Sequence, residues 1–319
     1  MRPCLEIVSR PWIIESKRMT KNASRNIGVL HPGAMGVSVA RSLQDSGHNV
    51  GWVSARRSAA TQERAQGLIA FDSLDEISVW ADALISICPP HGAMALAQRV
   101  HATAFSGLYI DANALAPSTS LRIGEIMGLG AFVDGGIIGP PALQPGTTRL
   151  YLSGHHAAGV AEWFSAGALQ AIPMVPAPKK AQNAPRAVGQ HVAASMLKMS
   201  YAAYSKGASA LLLSANALAE AGGVTQALHA EWAISAPSLL KQSQRAAQMT
   251  SGKAWRFEGE MLEISETYSD VGLPDALHAG AAAVYESMAE LKDLPPQELE
   301  AVVAVLLKQL DPFDPTKMS

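Results

Sequence analysis

The segment "NIGVLHPGAMGVSVARSLQDSGHNVGWV", from Asn26 to Val53, constrains the fold of this chain more than any other. An apolar run reaches His31, Pro32 and Gly33, apolar residues then recur at helical spacing, and a second apolar run follows Gly47. The pattern predicts strand, glycine turn, helix and a further strand. The alternation continues to about Gly154, where "ALISIC", "LYIDA", "AFVDGG" and "RLYLSG" are the later apolar runs and helical patterns lie between most of them. Ser73 with Glu76 forms a capping box at the start of one such helix. Near-continuous apolar strands separated by helices predict a parallel sheet covered on both faces. That is the doubly wound α/β fold of Rossmann type, with its ligand crevice at the carboxyl ends of the strands.

After "KKAQNAPRAVG" the strand pattern stops. Apolar spacing and Gly/Pro breaks predict helices over about 188–221, 223–233, 236–249, 255–271, 275–291 and 296–309. Two domains are therefore expected, a dinucleotide-binding domain over 26–184 and an all-helical domain over 185–319. With 319 residues, 48% hydrophobic and 16% charged, the chain can bury a core in each. The first 25 residues have neither an apolar signal core nor a cleavage site, and read as a disordered tail. No later segment is long and apolar enough to span a bilayer, and a net charge of −2 argues against nucleic acid as a partner. The two cysteines, Cys4 and Cys88, support neither a disulfide framework nor a metal site and fit a reducing cytoplasm.

A dinucleotide turn of the G-x-G-x-x-G kind uses its first glycine for the bend, its second for phosphate approach and its third for helix–strand packing. Gly33 and Gly36 supply the second and third, while His31 replaces the first and Pro32 stiffens the bend. Ala34 and Met35 between them complete a turn whose helix N-terminus can receive phosphate. At the end of the second strand an acid would bind the ribose 2′-hydroxyl of NAD. The hydroxyls of Ser54 and Ser58 stand there instead, with Arg56 and Arg57 between them, whose guanidiniums suit a 2′-phosphate. The expected cofactor is NADP(H) rather than NAD(H).

On the long helix the polar residues His191, Ser195, Lys198 and Ser205 share one stripe of an otherwise small, apolar surface. Spacing alone leaves Lys198 either on a solvated face or in a cavity. Beside a bound nicotinamide, its ammonium could give a proton to a carbonyl oxygen as hydride arrives, or take one in oxidation.

These residues together resemble the β-hydroxyacid dehydrogenases related to 3-hydroxyisobutyrate and 6-phosphogluconate dehydrogenases. "IGVLHPGAMGVSVA" matches the family's "IGxxGxGxMGxxxA", "ADALISICPP" its "ADVVI" strand and proline, and "IDANALAP" its "VDxS/N…P" strand end. "FVDGGIIGP" corresponds to the substrate segment "FVDAPVSGG", and "GQHVAASMLK" to the catalytic "GxxxxxK" helix. The later stretches "LKMSYAAYSKGASALLL" and "KAWRFEGEMLEISETYSDVGLPDALHAGAAAVYE" are similar to a branch with a distinct C-terminal helical domain. The resemblance covers roughly residues 26–292.

It implies a Rossmann domain followed by a helical domain, a homodimer, and hydride transfer between a nicotinamide cofactor and a small hydroxy or oxo compound. Lys198 falls on the catalytic lysine, Asn113 on a polar side chain of the nicotinamide site, and Pro89 and Pro90 on the loop beside the adenosine ribose and pyrophosphate. The serine that anchors the substrate carboxylate in the family is Ile138 here, next to Gly139, and the asparagine after the lysine is replaced in the region of Tyr201 and Ala202. These departures bring in two alternatives, an imine reductase-like activity in an apolar pocket and non-catalytic binding of NADPH. Tyr201 and Arg256 could shape the remaining pocket, with packing in the helical core as the competing role, and Arg256 is the candidate donor to a carboxylate that lacks its serine.

Overall fold

Strand β1 (Asn26–Val29) lies inside a single sheet and pairs in parallel with β2 (Asn49–Val53) on one side. The computed structural model describes residues 23–174 and 190–308. Beyond β2 lies β3 (Ile69–Phe71). On the other side of β1 follow β4 (Ala83–Ser86), β5 (Leu108–Asp111), β6 (Phe132–Ile138), β7 (Thr148–Ser153) and β8 (Leu169–Pro173). The order is β3-β2-β1-β4-β5-β6-β7-β8, parallel throughout except for the antiparallel β6–β7 pair. The chain reverses direction in the sheet between β1 and β4, so the carboxyl ends of those strands open the crevice of a doubly wound fold.

Alternate strand residues feed two buried clusters, one on each face. Ile27, Val29, Ala83 and Ile85 pack with Val39 and Leu43 of helix α1 (Ala34–Asp45). Leu84, Tyr109 and Phe132 pack with Ile77, Leu96 and Ile123, which belong to α3 (Leu74–Trp80), α4 (Pro90–His101) and α5 (Pro117–Met127). Short α2 (Ala59–Arg64) buries none of its residues, and α6 (Ala157–Ala161) joins β7 to β8. Strands β3 and β8 and helix α6 were not expected from sequence. Both strands are sheet edges: β3 is only three residues long with Ile69 and Ala70 exposed, and β8 has Gln170 within it and Pro173 at its end, so neither reads as a central strand.

The helical part follows expectation closely. A 3₁₀ turn at Gln190–Val192 leads into α7 (Ala193–Ala221), and then α8 (Thr225–Ser235), α9 (Leu239–Thr250), α10 (Ala254–Asp270), α11 (Ala276–Glu286) and α12 (Leu299–Lys308) complete it. Met199, Leu213, Met261, Ile264, Tyr285 and Val302 form its core. The expected domain boundary at 184/185, and residues 1–22 of the expected tail, lie outside the described residues. Arg25, inside that tail, is anchored: its N–H donates to His48 Nδ1 (3.3 Å) and its guanidinium lies 5.1 Å from the Trp163 ring. Among the described residues no helix is long and apolar enough to cross a membrane.

Candidate active site

The turn between β1 and α1 shows what its two glycines do. Gly33 is the N-cap of α1 in an extended conformation (φ −66°, ψ −172°), and a Cβ added there would meet nothing within 4 Å. A Cβ on Gly36 would lie 2.1 Å from the His31 carbonyl oxygen, so only glycine lets helix and strand approach this closely. No side chain caps α1 and its first turn holds no acid, which leaves the first-turn N–H groups open to an anion. The open space at Gly33 fits a dinucleotide pyrophosphate. His31 Nδ1 is buried without a hydrogen-bond partner. Burial, then the charges of Arg57 and Arg99, lower the His31 pKa to about 4, so the ring is neutral at pH 7.

At the end of β2 the four expected phosphate ligands behave differently. The Ser54 hydroxyl donates to the Phe71 carbonyl (3.1 Å), and Ser58 caps α2 by accepting from Thr61 N–H (3.3 Å). Arg57 is drawn over the strand ends, with Nη2 donating to Leu30 O (3.0 Å) and Nε to Val53 O (3.4 Å). A guanidinium has five N–H donors, so Arg57 is fixed in place with donors remaining. Arg56 is exposed and sits in the left-handed region at φ 59°.

The cleft itself lies where the carboxyl ends of β4, β5 and β6 meet α7 and α10. Met35, Pro89, Pro90, Asn113, Gly139, Lys198 and Arg256 all line it, so seven of the residues expected from sequence converge. Asn113 is locked. Its Nδ2 donates to Ser86 Oγ (2.9 Å) and Asp111 Oδ2 (3.0 Å), and its Oδ1 accepts from Cys88 N–H (2.5 Å). Burial pushes the Cys88 thiol up to about 12, so it stands in the cleft wall as a neutral group.

Helix α7 reaches the sheet because β6 carries Gly136, where a Cβ would come within 2.6 Å of the Ala194 carbonyl oxygen and 3.1 Å of Lys198 Cβ. Asp134, two residues earlier, pins the start of the helix. Its carboxylate accepts from Ser195 N–H (2.8 Å) and from the hydroxyls of Ser195 (2.5 Å), Ser120 (2.8 Å) and Ser153 (2.9 Å). A carboxylate against the first turn of a helix is also favoured by the helix dipole. Lys198 stands one turn further along.

Behind Lys198 is a charge cluster. Glu260 Oε1 of α10 lies 3.4 Å from Lys198 Nζ and 2.9 Å from Lys206 Nζ, and Glu260 itself lines the cleft. Burial pushes the Glu260 carboxyl up, but Lys198 and Lys206 outweigh it and hold it below the ordinary glutamate range. Burial lowers the Lys206 pKa, partly offset by Glu260. Phe257 closes the same wall, with Lys206 Nζ 4.9 Å from its ring centre.

Two expected substrate residues do not reach the cleft. Ile138 is buried in β6, and because strand residues alternate in direction, Ile137 and Gly139 face the cleft instead. Tyr201 is 53% exposed on the outer side of α7. Ser205 of the polar stripe is not among the residues lining the cleft, and its neighbour Lys206 pairs with Glu260. Sequence reading missed Glu260, Lys206 and Phe257. Glu260 follows Lys198 by 62 positions on another helix, among other acids, with no spacing signal to single it out. Among the described residues no cluster of three or more His, Cys, Asp or Glu could hold a metal ion.

Comparison with known proteins supports the architecture. Residues 219–288 match the family described as "Domain of unknown function (DUF1932)". No curated protein matches the chain. Among solved structures, a conserved hypothetical protein of Sinorhizobium meliloti 1021 is similar at TM-score 0.62 and 23% identity, covering 91% of this chain and 98% of the other. The 3-hydroxyisobutyrate dehydrogenase of Mycobacterium tuberculosis, solved with L-serine, is similar at TM-score 0.59 and 18% identity, covering 89% and 99%. A 3-hydroxyisobutyrate dehydrogenase of Salmonella typhimurium is similar at TM-score 0.58 and 16% identity, covering 88% and 100%. The chain therefore has the fold of the 3-hydroxyacid dehydrogenases, with the DUF1932 match falling within its helical part.

Proposed function

We propose that this protein is an NAD(P)-dependent oxidoreductase that transfers hydride between a nicotinamide cofactor and a small hydroxy or oxo compound, with Lys198 as the proton donor or acceptor. The observation that carries the reading is the meeting of Lys198 and Asn113 in one cleft beside an uncapped, glycine-opened helix N-terminus. The nicotinamide supplies or takes the hydride when bound. Gly33 and the first turn of α1 would hold the pyrophosphate, and Pro89 and Pro90 would border it. Lys198 meets the charge that develops on a substrate oxygen, held by Glu260. Arg256 at the rim would receive a substrate carboxylate. NADP(H) is the proposed form, because the second strand ends without an acid and Arg57 is fixed there with donors remaining.

Fluorescence titration with NADPH and NADH, followed by assays on 3-hydroxy acids, ketones and cyclic imines, tests the reading on wild type and Lys198→Ala. The variant should keep cofactor affinity within about twofold while turnover falls by about 10²–10⁴-fold. Unchanged turnover would remove Lys198 from the chemistry, and absence of nucleotide binding would remove the oxidoreductase reading altogether. Turnover of imines alone would move the substrate to the reductase class.

The proposed assembly is a homodimer. Tyr201, Tyr204, Leu211 and Leu218 form an exposed stripe along α7, at 53%, 80%, 62% and 76%, and α8 buries no residue within its own chain. Contiguous apolar surface of this kind marks an interface. Leu211→Glu should convert the species measured by light scattering from dimer to monomer, and a monomeric wild type would refute the assignment.

A further inference from the structure

Two buried aspartates stand side by side beneath the cleft. Asp111 ends β5, Asp134 lies on β6, and the two are in register, with relative exposures of 2% and 0%. Registered residues of adjacent parallel strands point to the same face, so the carboxyls share one layer. Their hydrogen bonding is unequal. Asp134 accepts four bonds, three from serine hydroxyls and one from the α7 backbone. Asp111 accepts two, both from Asn113, one from its backbone N–H (3.0 Å) and one from its side-chain amide (3.0 Å). Two like charges in a dry layer do not both ionise cheaply. The proton stays on the carboxyl with fewer donors, which is Asp111.

The orientation of Asn113 follows from the same contacts. Cys88 N–H can only donate, so the atom facing it is Oδ1. Both amide hydrogens are then engaged by Asp111 and Ser86. What Asn113 has left for a ligand is the second lone pair of Oδ1, which makes it an acceptor and nothing else.

We propose that Asp111 is a positioning residue for cofactor binding: its ionised carboxylate holds the Asn113 amide so that Oδ1 accepts from a ligand N–H, and nucleotide binding expels the proton that Asp111 holds in the free protein. The inference rests on the nicotinamide nucleotide reading above. A donor on Oδ1 polarises the amide and strengthens its N–H bonds to Asp111, which favours the ionised form. Burial above all, with Asp134 and Glu263 adding to it, raises the Asp111 pKa to about 7 against the pull of the Asn113 N–H groups. The other titratable groups around it are Cys88 and Tyr109, both raised by burial and neutral near pH 7, and Glu263 of α10, which accepts from Ala116 N–H (2.6 Å).

The test is the affinity for NADPH and for NADH by fluorescence titration from about pH 6 to about pH 9, on wild type, Asp111→Asn and Asn113→Ala. NADH is the control that lacks a titrating 2′-phosphate. Wild-type affinity for both nucleotides should rise by about fivefold or more as pH climbs through neutrality. Asp111→Asn should bind weakly and without that dependence. Asn113→Ala, which keeps the carboxyl but removes the group it acts through, should also lose the dependence, and it carries the test should Asp111→Asn not fold. A flat wild-type profile, or a wild-type profile retained in either variant, overturns the inference while nucleotide binding stands. Failure of the wild type to bind either nucleotide at any pH overturns both readings.

Discussion

The two walls of the cleft hold their polar groups by opposite means. On the sheet side, Asp111, Asp134 and Asn113 are buried and tied by hydrogen bonds to serines and backbone N–H groups, with no ion pair to either aspartate among the described residues. On the helical side, Lys198, Glu260 and Lys206 are held by charge, three ions meeting at one carboxylate oxygen. A hydrogen-bonded wall has one geometry and presents fixed acceptors. A wall of ions has an excess positive charge and side chains that can change partner. The first suits holding a cofactor and the second suits moving a proton, and α7 belongs to both: Ser195 is tied to the sheet and Lys198 to the ions.

If the helical wall is held by charge, removing its one carboxylate should do the most damage. Glu260→Gln keeps the shape but leaves two largely buried lysines without their counter-ion. Loss of one partner of a buried ion pair costs about 3–5 kcal/mol, and that loss in denaturant unfolding is the expected result. The double variant Glu260→Gln/Lys206→Met should recover part of it, because it removes one of the two stranded charges. A Glu260→Gln protein as stable as wild type would mean that the lysines find solvent and the wall is not ionic.

The contrast was only half legible in the sequence. The sheet wall is built from local patterns, "IDAN" and "FVDGG" at strand ends, whose parity and turn residues fix where each side chain points, so Asn113 and the glycine turn could be found by reading along the chain. Parity also explains why Ile138 is buried while Ile137 and Gly139 line the cleft: a shift of one residue along a strand exchanges cleft for core. The helical wall depends on how α10 docks against α7, which no spacing within either helix specifies. Lys198 was visible because it lies on a short polar stripe of an otherwise apolar helix, while Glu260 is one acid among several on α10 and becomes special only when the helices pack. The edge strands β3 and β8 were missed for a related reason: β3 is three residues long, too short for a strand period to show, and β8 has its apolar run broken by Gln170.

A smaller change should probe the sheet wall on its own terms. Ser195→Ala removes one hydroxyl donor from Asp134 and leaves three, the backbone N–H of position 195 included. A hydrogen bond to a charged group contributes about 1.5–3 kcal/mol, so the loss should stay below that of Glu260→Gln. Its pH signature separates the two walls. Burial holds the Asp134 pKa above the ordinary value against its four donors. The folded state thus binds this proton more tightly than the unfolded one, and the stability linked to it falls as pH rises through the interval between the unfolded and folded pKa. Removing a donor raises the folded pKa further, so the interval widens upward and the destabilisation by Ser195→Ala should grow with pH across it. Glu260, whose folded pKa is depressed, behaves in the opposite sense: its contribution is present above the unfolded glutamate pKa and fades as pH falls through the folded one. The penalty of Glu260→Gln should therefore shrink in acid. Unfolding free energies of both variants measured across acid and neutral pH should diverge from wild type in the same direction as pH rises, steeply and early for Glu260→Gln, later and more gently for Ser195→Ala. A Ser195→Ala penalty that is independent of pH would mean that Asp134 does not change its charge on unfolding, and that the sheet wall is held by packing rather than by its hydrogen-bonded carboxylate.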